Sequence, residues 1–174
     1  MRLAFLGPIG TYTEAAALTY DAAAELVPYR TFTAAALAVE NGEASAAVCA
    51  IENSLEGPVA ETLAILVRDD LNLNINAEVV LPIKHALVGS PGLSLVDVEI
   101  VYSHPQALAQ CRRNLSVLVP AALPVAALST SAAIESAIKE PGTLAVGNRR
   151  AADLYSAQCY EAVSYTHLTL PTKA

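Results

Sequence analysis

Three stretches of this chain carry polar groups whose types and spacing suit the binding of a polar small molecule. Glu52-Asn53-Ser54 follows the apolar run Ala46 to Ile51, and Gly57-Pro58 lies just beyond. The apolar run reads as a buried strand, so the acid, the amide and the hydroxyl fall where that strand leaves its sheet. Ligands of open α/β sheets sit beyond the carboxyl ends of strands. These three side chains are therefore placed either to meet a polar small molecule or simply to cap and solvate a loop. Ser103, Gln106 and Gln110 recur at helical spacing and line one face with a hydroxyl and two amides. Without Lys or Glu among them, the stripe reads as a neutral hydrogen-bonding wall or as a solvated face. Gly7-Pro8-Ile9-Gly10, ahead of Thr11, joins a strand to a helix start, where backbone N–H groups can cradle an anion or merely form a capped turn. The loop is neither GxGxxG nor a Walker sequence, which argues against a nucleotide. His85, in an apolar β-rich run, reads as a strand residue satisfied by a neighbour rather than as a catalyst.

The elements that must position these groups follow from periodicity and punctuation. Arg2 to Leu6 is a first strand, and the Thr11/Glu14 spacing of a capping box predicts a helix from Thr11 to about Leu26. Thr31 to Asn41 is a second helix stopped by Gly42. After the Ala46 strand, Gly57-Pro58 makes a turn with Pro58 at the first position of a helix from Val59 to about Arg68. This alternation is that of a parallel sheet with helices packed on it. Leu73 to Val88 is β-rich and long enough to cross from one lobe to another, with Pro82 at an unpaired or bulged position. Gly89 to Gly92 is a turn, and Ile100 to Tyr102 a strand. Pro105 opens a helix reaching Leu115, whose core face is Leu108, Cys111 and Leu115. A strand at Val125 to Leu128, a helix from Ser129 to Lys139, a strand at Thr143 to Val146 and a helix from Arg149 to about Tyr155 complete the reading. The last helix is expected to return the chain to the first lobe.

Composition narrows the function classes. Hydrophobic residues make up 54% of the 174 and charged residues 16%, so the chain can bury a core rather than remain disordered. No apolar run approaches the ~18 residues of a membrane span, and Leu3 to Leu6 is shorter than the roughly 7–15 residues of a signal-peptide core. A formal charge of −7 argues against nucleic acid or an anionic membrane as partner, and it leaves the holding of any anionic ligand to local donors. Cys49, Cys111 and Cys159 have no metal or redox spacing, which predicts buried free thiols in a reducing cytoplasm.

Four blocks, in order, resemble prephenate dehydratase. They are Gly7-Pro8-x-Gly10-Thr11-Tyr12-Thr13-Glu14-Ala15-Ala16, Ile51-Glu52-Asn53-Ser54-x-x-Gly57-x-Val59-x-x-Thr62, Ser103-His104-Pro105-Gln106-Ala107-Leu108-x-Gln110-Cys111 and Ser129-Thr130-Ser131-Ala132-Ala133. A weaker fifth block runs from Ala145 to Tyr155. The resemblance implies an α/β fold of two lobes like type II periplasmic binding proteins, with an interlobe cleft as the site. It assigns residues 1–75 plus about 150–163 to the first lobe and 76–149 to the second. It implies decarboxylating dehydration of prephenate to phenylpyruvate in phenylalanine biosynthesis, without metal or organic cofactor, in a cytoplasmic homodimer or higher homo-oligomer. Carried onto this sequence, it makes Thr11, Asn53, Ser103 and Gln110 the catalytic candidates. Gly10, Glu52, Ser54, Gln106 and Thr130 become the substrate-binding ones. Prephenate carries two carboxylates, so donors such as Asn53 and Gln110 suit it, while Glu52 suits an orienting role because an ionised acid would repel a dianion.

The sequence departs from the family in two places. The Asn-x-Thr-Arg-Phe motif, whose threonine the family favours as proton donor to the leaving hydroxyl, does not occur. After Val163 the chain reads Ser-Tyr-Thr-His-Leu-Thr-Leu-Pro-Thr-Lys-Ala, and residues 164–174 are expected to be an altered or non-native tail with no ACT domain. Leu128 stands where some members place a carboxylate. Two alternatives to the dehydratase follow: a non-catalytic module binding a small dicarboxylate, and an arogenate dehydratase.

Overall fold

Strand β1 (Arg2–Leu6) anchors the first part of the chain, with Leu3, Ala4 and Phe5 entirely buried. It is central in a three-stranded parallel sheet of order β2-β1-β3, between β2 (Glu25–Tyr29) and β3 (Ala46–Val48). A central parallel strand is covered on both faces, which is why it reads as an unbroken apolar run. Helix α1 (Tyr12–Tyr20) follows β1, and α2 (Phe32–Glu40) joins β2 to β3. Alanines on two faces of α2 allow close packing. Ala35 and Ala38 meet Ala4 of β1, while Phe32 and Ala36 pack with Ile65 of α3 (Ala60–Leu66). Between β3 and α3 lies a small antiparallel hairpin, β4 (Glu52–Asn53) with β5 (Gly57–Pro58). The computed structural model describes residues 1–54 and 57–168.

The second part is built on a five-stranded mixed sheet of order β10-β6-β9-β7-β8. Its strands are β6 (Leu81–Gly89), β7 (Ile100–Ser103), β8 (Leu123–Ala126), β9 (Thr143–Gly147) and β10 (Gln158–Leu168). Strands β8, β7 and β9 run parallel to one another, and β6 is antiparallel to β9. Alternate residues of the central strands feed two cores. Leu87, Leu144 and Val146 face α4 (Pro105–Leu118) with Cys111 and Leu115. Val88 and Ala145 face α5 (Thr130–Lys139) and α6 (Arg149–Leu154) with Ile134, Ala151 and Ala152. Among the described residues no helix is long and apolar enough to cross a membrane.

The described chain divides into two compact units, Met1–Pro82 with Thr166–Leu168, and Ile83–Tyr165. The expected return of 150–163 to the first lobe is therefore not what is seen. The alanines of α6 are buried against Ile134 and Val88, and Val163 lies in the core with Leu87, so this stretch packs in the second unit. The first helix is also shorter than predicted. Asp21 caps it and takes the Ala23 N–H at 2.9 Å, and Glu25–Tyr29 then pairs along β1 as a strand that local pattern concealed. Pro28 is tolerated there because β2 is an edge strand. Strand β3 is half-buried at the sheet edge and stops at Val48 rather than continuing as a buried strand to Ile51. Gly57-Pro58 forms a strand of the hairpin, and α3 begins after Val59. The segment 71–80 has no regular structure; β6 begins only at Leu81, and Pro82 lies outside its register with β9. Of the expected altered tail, β10 continues through Leu168, and residues 169–174 lie outside the described residues.

Candidate functional site

In the first unit the loop after β1 is held by its own helix start. Gly10, at φ +89°, adopts the left-handed conformation that favours glycine, and its N–H donates to Glu14 Oε2 at 2.7 Å. Thr11 caps α1: its hydroxyl accepts from the Glu14 N–H at 3.3 Å and donates to the Leu6 carbonyl at 3.1 Å. The capping-box residues thus meet as the spacing predicts, with the carboxylate reaching Gly10 rather than the cap itself. Glu14 is buried by this arrangement. The Gly10 N–H and the Thr11 proton are consequently already committed within the protein.

Glu52 and Asn53 are half-buried in the hairpin, where Glu52 pairs Pro58 and Asn53 pairs Gly57; Ser54 is exposed. Gly57 takes φ +80°. Two acceptors behind the hairpin fix it. The buried Thr62 hydroxyl donates to the Ala50 carbonyl at 2.6 Å, and the Val59 N–H donates to the Ile51 carbonyl at 2.8 Å. Glu61 in turn receives both the N–H and the hydroxyl of Thr33 at 2.9 Å, tying α3 to the start of α2. Thr62 and Glu14, both buried, are supporting residues that stand outside the candidate set of the sequence analysis. Their signal was present, since both stand inside the motif blocks. A mostly apolar cavity of about 350 Å³ lies in this unit against β3 and the segment 72–79, and none of the candidate residues lines it.

Cys49, beside these groups, is no nucleophile at neutral pH. Burial, with Glu61 adding to it, pushes its thiol up to about 11 from the usual 9.0. Below pH 9 the thiol is neutral in both folded and unfolded chains. Between pH 9 and 11 the unfolded chain ionises it and the folded one does not, so stability falls as pH rises through that window. A displacement of that size corresponds to about 3 kcal/mol. Cys49→Ala is expected to flatten the difference between urea midpoints at pH 8 and pH 11. An equally steep dependence in the variant would refute the burial of a neutral thiol.

The second unit gathers its polar residues at one edge of the sheet. The parallel strands β7, β8 and β9 are each followed directly by a helix, α4, α5 and α6. Ser103 ends β7, Ser129 caps α5 just after β8, and Asn148 caps α6 just after β9. Thr130 is the first residue of α5, half-buried behind the Ser129 cap, which accepts from the Ala132 N–H at 3.1 Å. No side chain fits at Gly147 without displacing core atoms, because an added Cβ would lie 2.8 Å from Ile134 Cδ1. Ser103 is 0% exposed, and its hydroxyl donates to the Val146 carbonyl at 2.9 Å. Gln106 is exposed in the first turn of α4. Gln110, one turn further on, is half-buried, and its Oε1 is buried without a hydrogen-bond partner among the described residues. Burial pushes His85 of β6 below its usual range, the nearby Gln110 side chain working in the opposite direction. Leu128, at the departure from the family pattern, is 97% exposed.

Polar residues and helix starts at the carboxyl ends of parallel strands define the ligand-binding edge of an open-sheet α/β protein. The chain belongs to the prephenate dehydratase family, whose model matches residues 3–164. It is 41% identical over 160 residues to Arogenate dehydratase 4, chloroplastic, of Arabidopsis thaliana, covering 91% of this chain and 37% of that protein. It is 43% identical over 133 residues to the prephenate dehydratase of Amycolatopsis methanolica, covering 76% of this chain and 43% of that protein. The chain thus spans less than half the length of these curated relatives. Among solved structures it is similar to the prephenate dehydratase of Arthrobacter aurescens in complex with L-Phe, at 30% identity and TM-score 0.85, covering 100% of this chain and 62% of that one. It is also similar to GqqA, described as a novel type of quorum quenching acylase, at 28% identity and TM-score 0.82, covering 99% and 66%.

Proposed function

We propose that this chain carries the prephenate-binding and dehydrating machinery of its family. The observation that carries the reading is the clustering of Ser103, Ser129-Thr130 and Asn148 at the carboxyl ends of β7, β8 and β9, on the same sheet edge as the start of α4. Such an edge supplies neutral donors without a strong base, which is what a dicarboxylate requires. In this reading Asn53 and Gln110 donate to the substrate carboxylates, with Ser54, Gln106 and Thr130 as further contacts and Glu52 orienting the hairpin, while the Gly10 N–H stays with Glu14. One carboxylate leaves as carbon dioxide, its electron pair enters the ring, and the hydroxyl leaves as water once it receives a proton. Aromatisation drives the step, so positioning and one proton donor suffice. Cytoplasmic location and homo-oligomerisation belong to the same reading.

A second reading, binding without turnover, is favoured by one observation. The candidate hydroxyls of Thr11 and Ser103 both donate to backbone carbonyls, Leu6 and Val146, so neither proton is at hand for a leaving group. Arogenate is the alternative substrate, suggested by the names of several relatives. The test is to incubate the chain with prephenate or with arogenate at neutral pH and follow phenylpyruvate and phenylalanine against buffer. Phenylpyruvate formed faster than in buffer is expected. Calorimetric binding of prephenate with no product above buffer would establish the second reading, and no binding of either compound would refute both.

A further inference from the structure

Strand β3 is an edge of the first unit's sheet, and the mostly apolar cavity of about 350 Å³ lies along it. That volume falls in the range of roughly 300–1,000 Å³ found for small-ligand pockets. The Ser45 N–H donates to the Arg2 carbonyl at 2.9 Å, so residues 45, 47 and 49 turn their backbone groups to β1. The N–H and C=O of Ala46 and Val48 therefore point to the open side, and both residues line the cavity. Ile65 and Leu66 of α3 form an apolar wall, and Leu73 continues it. A secondary amide suits such an edge, because its N–H and C=O answer the backbone C=O and N–H of a strand.

Charge narrows the ligand further. Among the described residues that line the cavity none is Lys, Arg or His, and Glu78 is the one carboxylate. An anion would meet no cation there and one like charge, whereas an uncharged molecule gives up little on leaving water. We propose that this cavity is a separate binding site for an uncharged secondary amide carrying an apolar chain. The amide pairs with the open edge of β3 at Ala46 and Val48, and the chain packs on Ile65, Leu66 and Leu73. None of the residues given to prephenate takes part, and the two carboxylates of that compound exclude it.

Calorimetric titration of the whole chain with N-octylacetamide, N-methyl-N-octylacetamide and octanoate tests this. The secondary amide is expected to bind with a stoichiometry of one. The N-methylated amide, which lacks the donor, should bind about tenfold more weakly. Octanoate, of similar length but anionic, should not bind. Alkylation by iodoacetamide, followed at each cysteine by mass spectrometry, locates the site. Cys49 lines the cavity, while Cys159 lies on β10 in the second unit. N-octylacetamide should slow modification of Cys49 severalfold and leave Cys159 unchanged. Ala46→Phe, which puts a ring on the cavity wall, should abolish binding and protection with the circular dichroism spectrum kept. If that variant does not fold, the cysteine rates of the unaltered chain decide. Equal affinity for both amides, binding of octanoate, protection of both cysteines or of neither, or full binding by a folded Ala46→Phe would each overturn the proposal. Prephenate should leave the Cys49 rate unchanged, so failure of the dehydratase reading is told apart from failure of this one.

Discussion

Replacing residues 164–174 by a segment carrying Asn-x-Thr-Arg-Phe is expected to raise phenylpyruvate formation from prephenate at least about tenfold, and up to the 10²–10⁴-fold typical of a general acid. The expectation comes from where the chain's own hydroxyl protons go. Thr11 donates to Leu6 and Ser103 to Val146, so each would have to break a hydrogen bond before serving a leaving group. The family's threonine would supply the proton without that exchange. The replacement point matters. Val163 is fully buried in the second core, and its carbonyl receives the Asn114 side-chain amide at 2.5 Å, so the exchange must begin after it. The measurement is the initial rate of phenylpyruvate formation for each protein, with prephenate binding measured alongside. Robust turnover by the unaltered chain, matching the extended one, would remove the threonine from the mechanism. No gain in rate with binding intact would favour the ligand-binding reading.

Gln110→Ala is expected to weaken prephenate binding by about tenfold to a hundredfold while moving the melting temperature by only a few degrees. A hydrogen bond to a charged group is worth roughly 1.5–3 kcal/mol, which gives that range of affinity. Stability changes little because Gln110 is only half-buried and its Oε1 has no hydrogen-bond partner to lose among the described residues. Ser103→Ala supplies the contrast. That side chain has no exposed surface, and its loss removes one hydrogen bond to the Val146 carbonyl in the interior of the sheet. It should lower stability by about 1 kcal/mol, roughly 2–4 °C at this chain length. Unchanged affinity in Gln110→Ala, with the fold intact by circular dichroism, would rule out the amide as a substrate donor.

What the sequence determined by itself was whatever is satisfied within a few residues. The caps at Thr11, Thr31 and Ser129 accept from N–H groups three residues on, so the starts of α1, α2 and α5 were legible in the sequence. Pro105 at the head of α4 and the Leu108-Cys111-Leu115 face were legible for the same reason, as was the order of the motif blocks. Strand β2 was not. Ala22 to Ala24 prolongs a helical pattern, and only pairing with β1, far off in sequence, makes Glu25–Tyr29 extended. Nor was the placement of α6, since its alanines would fit any small-residue face and only Ile134 and Val88 claim them. The commitment of donors was hidden most completely. Ser103 and Gln110 form one polar stripe in sequence, yet the hydroxyl is spent on a carbonyl 43 residues away, while the amide oxygen is buried without a partner among the described residues. A side chain's type states what it can donate; its neighbours in space decide whether the proton is still available.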